Sequence, residues 1–252
     1  MRSVLEQDYP SIEYVVVDGG SSDGSTEIIA KYARALAHWE SVPDDGQTHA
    51  LIKGFKHCTG DVLGWLCSDD LLLPGALRTV GEFFRSHPRI GAVYGDALWI
   101  DADGGFLRPK KEIGFNRFVM LHDHNYVPQP SMFWRRSVYE RVGGLDPRFE
   151  LAMDADLWER FSSVTRIAHI PAFLSCMRFY PSQKTRARRA DAQREDAIIR
   201  ARFGRRAALR LRRLAARGLR IAAKLGAGCY GAAVPGEHLA WLRRMAGFEH
   251  AR

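Results

Sequence analysis

The sequence predicts an α/β fold: a mostly parallel sheet with helices on its faces. A short β-branched run at residues 12–18 and an apolar run at 62–67 have the length and composition of buried strands. Helix-length segments lie between and after them, so strand, helix, strand, helix and strand alternate through the first 90 residues. Acids also stand where these strands end, at Asp18 and at Asp69 and Asp70. Open α/β sheets bind ligands at the carboxyl ends of their strands.

The elements follow in order. The run at 12–18 ends in the loop Gly19-Gly20-Ser21-Ser22-Asp23-Gly24, where Ser22 or Asp23 can cap a helix over 25–36. Residues 38–42 suit a second strand, and the turn at Pro43-Asp44-Asp45-Gly46 leads into a helix over 47–57. The third strand, 62–67, runs into Ser68-Asp69-Asp70, and Pro74 suits the first turn of the next helix. Residues 92–100 and a strand after Asp103-Gly104 are expected as a hairpin-like extension. A strand at 131–134, helices at 137–142 and 156–161, and a strand at 166–170 complete the body, placing Asp154 in the loop before a helix.

The chain of 252 residues is 46% hydrophobic and 26% charged, the profile of a folded globular domain with an appendage. No run of about 18 apolar residues suggests a spanning helix, and the first residues lack the apolar core of a signal peptide. Cys58, Cys67, Cys176 and Cys229 form no C-x-x-C pair and read as reduced thiols of a cytoplasmic protein, without a structural zinc site. The net charge of +8 is uneven: residues 178–224 hold 16 Lys and Arg against 3 Asp and Glu, which leaves the rest mildly acidic.

Taken alone, each acid cluster has two readings. Asp69 and Asp70 either open a turn or serve a ligand, one bonding a ribose hydroxyl and the other a hard cation. Asp18 before two glycines also makes a good turn, and the loop after it matches neither G-x-x-x-x-G-K-[ST] nor G-x-G-x-x-G. Asp154 and Asp156 either complement a helix N-terminus or include a general base.

The ordered set of motifs resembles glycosyltransferase family 2, inverting enzymes of the GT-A fold. It comprises Ser3-Val4-Leu5-Glu6-Gln7-Asp8-Tyr9-Pro10, Val17-Asp18-Gly19-Gly20-Ser21-Ser22-Asp23-Gly24-Ser25, Asp45-Gly46-Gln47-Thr48-His49-Ala50, Thr59-Gly60-Asp61, Trp65-Leu66-Cys67-Ser68-Asp69-Asp70, Pro128-Gln129-Pro130-Ser131, and Gly143-Gly144-Leu145-Asp146 with Met153-Asp154-Ala155-Asp156-Leu157-Trp158. The resemblance implies a GT-A domain over 1–185 and a basic helical extension over 186–252.

It implies roles as well. Asp154 matches the catalytic base, Asp70 the metal ligand, and Asp18, Gly46, Gln47 and Asp69 the donor side. Gln129, Gly144 and Asp156 fall on the sugar and acceptor side. The implied reaction is a single displacement from a UDP- or GDP-sugar to a hydroxyl of a glycan or lipid-linked acceptor, assisted by Mg²⁺ or Mn²⁺, in the setting of cell-surface polysaccharide synthesis. The chain departs from the family in three ways. Ser3 to Gln7 match the end of the family's first helix, so the first strand-helix unit is expected to be missing. Tyr180 stands where a histidine is common, and Ile52 where asparagine is common. The alternative to an active enzyme is a truncated remnant serving as a binding or structural module.

Arg206, Arg210, Arg213, Arg217, Arg220 and Lys224 recur at three- and four-residue steps, with Leu211, Leu214, Ile221 and Leu225 on another stripe. This basic amphipathic helix has two readings. It docks on an anionic membrane surface, making the protein peripheral on the inner face of the cell membrane, or it packs its leucines on the body and stays in solvent. No aromatic residues interleave the arginines, so a nucleic-acid surface is not suggested.

Overall fold

A computed structural model describes residues 1–203 and 209–249, and side chains to residue 247. Its first elements are α1 (Arg2–Leu5), β1 (Val15–Asp18), α2 (Ser25–Tyr32), β2 (His38–Ser41), α3 (Gln47–His57), β3 (Val62–Gly64), β4 (Leu71–Leu72) and α4 (Ala76–Ser86). Then come β5 (Ile90–Ile100), β6 (Phe106–Lys110), α5 (Arg117–His122), β7 (Met132–Arg135), α6 (Arg136–Arg141), α7 (Met153–Val164) and β8 (Arg166–Arg178). The helices α8 (Lys184–Ala187), α9 (Arg189–Phe203), α10 (Leu209–Gly226) and α11 (Gly236–Glu249) follow.

Two sheets form. β1 and β2 pair in parallel. The larger sheet has the order β3-β7-β5-β8-β4, with β6 added on β5. Within it β5 and β8 are parallel, while β7 runs against both β3 and β5. β3, β5 and β8 therefore point one way, with β7, β4 and β6 against them. The segment expected as a hairpin extension, residues 92–100, does form a hairpin with β6, but it is also the centre of the sheet. Its Ala92, Val93, Tyr94, Ala97 and Leu98 are fully buried, and that burial drives it inward. β8 continues to Arg178, well past the expected end at 170, because its pairing with β5 resumes beyond the irregularity at Gly95 and Asp96.

One core cluster is aromatic. Trp65 stacks on Trp158 at 5.6 Å, and Trp134 packs against both. Burying such rings stabilises by several kcal/mol each, about 25 cal/mol per Å². The C-terminal helices join the body. Ile199 of α9 is in this aromatic cluster, and Trp241, Leu242 and Met245 of α11 pack with Leu71, Leu73, Leu98 and Ile100. The first helix is tied to the strand beyond Asp70. Gln7 donates its amide to the Leu73 carbonyl at 2.9 Å, and the Leu72 N–H donates to Ser3 Oγ at 3.3 Å.

The four cysteines are free thiols. No helix among the described residues is long and apolar enough to cross a membrane.

Candidate functional site

The site gathers around Cys67, in the turn between β3 and β4. Gln47, the first residue of α3, donates to Cys67 Sγ at 3.1 Å. Cys67 in turn faces Gln129 Oε1 at 3.5 Å, and Gln129 donates its amide to the Trp65 carbonyl at 2.9 Å. The aromatic core thus forms the floor on which these two glutamines are fixed. Gly46 has φ +106, a conformation few other residues adopt, and a side chain there would meet Glu150 at 3.2 Å.

Asp69 and Asp70 stand beside Cys67, with one ligand atom from each of the three within 4.8 Å of the others. Asp70 is buried, and its Oδ1 accepts the Arg178 N–H at 2.9 Å. Burial, with the Asp69 charge adding, pushes its carboxyl up to about 7 against the help of Arg178. Tyr180 donates its hydroxyl to Asp69 Oδ2 at 3.0 Å. Burial, then Asp70 and Asp69, hold the Cys67 thiol well above its ordinary range, so it stays protonated. That leaves two crowded carboxylates with oxygen donors, the set a hard cation such as Mg²⁺ or Mn²⁺ prefers, and binding one would relieve their mutual repulsion. The donor chemistry fits the expected metal.

Asp154 lies near enough for its charge to act on the Cys67 thiol. It is half-buried, and Asn125 donates to its Oδ2 at 2.7 Å. Burial raises its carboxyl to about 6. The Ala155 N–H opposes that rise, Asp196 adds to it, and Asn125 opposes it. A carboxylate with that value is ionised near neutrality yet basic enough to take a proton.

Asp154 is the second residue of α7, not a loop residue before it. The helix begins early because its N-terminus is capped from outside. Glu195 of α9 accepts the N–H groups of Glu150, Leu151 and Ala152 at 2.8–3.1 Å. Thr48 of α3 donates to the Phe149 carbonyl at 2.6 Å, while Lys184 and Arg188 pair with Glu150 at 2.8 and 2.6 Å. Residues 149–154 are therefore tied to α3 and to the tail at once.

Other expected residues fall elsewhere. Asp156, expected on the sugar and acceptor side, lies in the interior. It is fully buried, paired with Arg160 at 2.7 Å and Arg202 at 3.4 Å, because Arg160 is one turn along the same helix. Gly144, φ +73, closes the turn after α6, and its carbonyl accepts from Arg160 at 2.5 Å. Asp18 caps its own loop. Its carboxylate accepts from the Gly20 and Ser21 N–H groups and from the Ser21 and Ser41 hydroxyls at 2.5–3.0 Å, and the Ser21 and Ser41 hydroxyls hold it down at about 2. Gly24, not Ser22 or Asp23, is the N-cap of α2, although Asp23 accepts the Ser25 N–H. Asn125, Arg178 and Glu195 were not singled out from the sequence. Arg178 opens the segment that holds Tyr180, but no local pattern marks what any of the three does, since each acts on a residue 29 or more positions away.

This geometry can be set beside known proteins. The description "Glycosyl transferase family 2" matches residues 1–143. The chain belongs to that family. This family 2 chain is 29% identical over 158 residues to an uncharacterized glycosyltransferase of Mycobacterium tuberculosis, covering 62% of this chain and 60% of the relative. It thus spans about three fifths of that relative's length. The O-antigen biosynthesis protein RfbC of Myxococcus xanthus is 32% identical over 182 residues, 68% of this chain and 14% of that protein. Two solved structures share the fold. Staphylococcus aureus TarS 1–349 with UDP-GlcNAc has a TM-score of 0.61 at 16% identity, covering 79% of this chain and 60% of that one. The Pyrobaculum calidifontis mannosyltransferase PcManGT with GDP-Man and Mn²⁺ has 0.57 at 20% identity, covering 98% and 74%. The fold of this family 2 chain is the GT-A type expected.

Proposed function

We propose that this chain is the donor-binding and catalytic part of an inverting glycosyltransferase. It would move a sugar from a UDP- or GDP-sugar to a hydroxyl of a glycan or lipid-linked acceptor in cell-surface polysaccharide synthesis. The observation that carries this reading is a pair of different acid environments: Asp69 and Asp70 crowded beside Cys67, and Asp154, raised to about 6 and oriented by Asn125, whose charge reaches the same thiol. The fold neighbours bound to UDP-GlcNAc and to GDP-Man with Mn²⁺ support a nucleotide-sugar donor, and the O-antigen relative supports a surface glycan product.

Each residue has a task in this reading. Gln47 and Gln129, fixed on Cys67 and Trp65, line the donor. Asp69 faces the ribose and Tyr180 holds its orientation. Asp70 and Asp69 would hold Mg²⁺ or Mn²⁺, which when bound neutralises charge growing on the departing diphosphate. Asp154 takes the proton of the acceptor hydroxyl while that oxygen bonds to the anomeric carbon. The bond from that carbon to the diphosphate oxygen breaks in the same step, and the configuration inverts.

The test is calorimetric titration of the chain with UDP and GDP, with and without Mn²⁺, alongside Asp70→Ala. The expected result is metal-dependent binding of one nucleotide, lowered at least about tenfold by the substitution. Absence of nucleotide binding by the folded chain would overturn the reading.

A further inference from the structure

The helix α10 settles on the body by an unexpected face. Ala216 is fully buried against the body, Arg220 pairs with Asp123 at 2.5 Å, and Lys224 pairs with Glu112 at 2.8 Å. Two members of the basic stripe are therefore used to hold the helix down. Arg206 lies outside the described residues. Arg210, Arg213 and Arg217 are exposed and enter no ion pair among the described residues.

The leucines face away. Leu211, Leu214, Ile221 and Leu225 are 70%, 68%, 39% and 65% exposed. With 100° per residue, they share an arc of about 120° with Ala215, Gly218 and Ala222. No charge interrupts that arc, and the exposed arginines run along its edge. The helix carries six cations and no acid over its 18 residues.

We infer that α10 is a docking helix for an anionic lipid surface, its leucine arc entering the bilayer interface and its free arginines meeting phosphate headgroups. The charge pattern selects this occupant. A second copy of the helix would bring Arg210, Arg212, Arg213 and Arg217 against the same four cations, with no acid on either helix to neutralise them. A nucleic-acid backbone would require cations on the outermost arc, where the apolar residues stand. An interface of apolar acyl chains below anionic phosphates matches both stripes in their observed order. This inference stands on the helix alone and does not depend on the transferase reading.

The test is co-sedimentation of the 252-residue chain with phosphatidylcholine vesicles and with mixed phosphatidylcholine–phosphatidylglycerol vesicles. Two variants accompany it, Leu211→Ser/Leu214→Ser/Leu225→Ser and Arg210→Gln/Arg213→Gln/Arg217→Gln. All six side chains are exposed, so both variants are expected to keep the wild-type melting temperature. The expected result is binding to the anionic vesicles that weakens with added salt. Each arginine removed lowers it about fivefold, and the leucine variant loses at least about tenfold. Equal binding to both vesicle types, unchanged binding by the leucine variant, or no binding would overturn the inference. So would light scattering that shows a dimer which the leucine variant dissolves, without vesicle binding.

Discussion

Asp18 and the pair Asp69–Asp70 stand in comparable places, each just past an apolar run at the rim of a sheet, and their environments are opposite. The Asp18 loop folds back on its own carboxylate with three donors and Ser41 of β2 adds a fourth, so the charge is stabilised at about 2. At Asp70 the backbone supplies one donor, a neighbouring acid crowds it, and its carboxyl rises to about 7. A carboxylate already filled by its own loop has little left for a ligand. One left crowded and short of donors has a reason to bind a cation. Asp154 and Asp156 repeat the contrast two residues apart, one held by the Asn125 amide and the Ala155 N–H and the other sealed between two arginines.

The largest expected effect comes from the sealed acid. Asp156→Ala leaves Arg160 and Arg202 without their shared partner and should destabilise the fold by about 3 kcal/mol or more. Thermal melting checks this, and a wild-type melting temperature would show that the pair is dispensable. The next effect is on the pH profile. Asp154 must be ionised to accept a proton, so the rate should fall as pH drops through about 6. Asn125→Ala removes a donor that favours the charged form and should move this limb up. Asp196→Asn removes a nearby negative charge and should move it down. Each shift is about half a unit to one unit, and kcat/KM against pH measures both.

The smallest effect concerns Asp18. Its carboxyl is lowered in the fold, so its stabilising contribution is present above about pH 4 and lost as pH falls toward about 2. Asp18→Asn should be less stable than wild type at neutral pH, with the difference shrinking through that window. Denaturant melts at several pH values would reveal a constant gap if the four hydrogen bonds contribute nothing.

How much of this was legible follows from distance along the chain. The start of α3 at Gln47 and the acids after the third strand are marked by local turn chemistry, and the structure places them as expected. The start of α7 falls earlier than its local sequence suggests because its cap, Glu195, lies 43 or more residues away. The burial of Asp156 left a trace in the sequence, since Arg160 follows it at helical spacing. The tail showed its two stripes plainly. Which stripe meets the body is decided by Asp123 and Glu112, whose position no local pattern in the sequence marks.

The central claim is that Asp154 is the base of a displacement on a nucleotide sugar. Its most direct test is nucleoside diphosphate release from UDP- and GDP-sugars with Mn²⁺, in the presence of glycan acceptors, by the wild type and by Asp154→Asn. The account predicts release by the wild type and a loss of at least about 100-fold in the variant, with nucleotide affinity unchanged. Release by Asp154→Asn at the wild-type rate would contradict it.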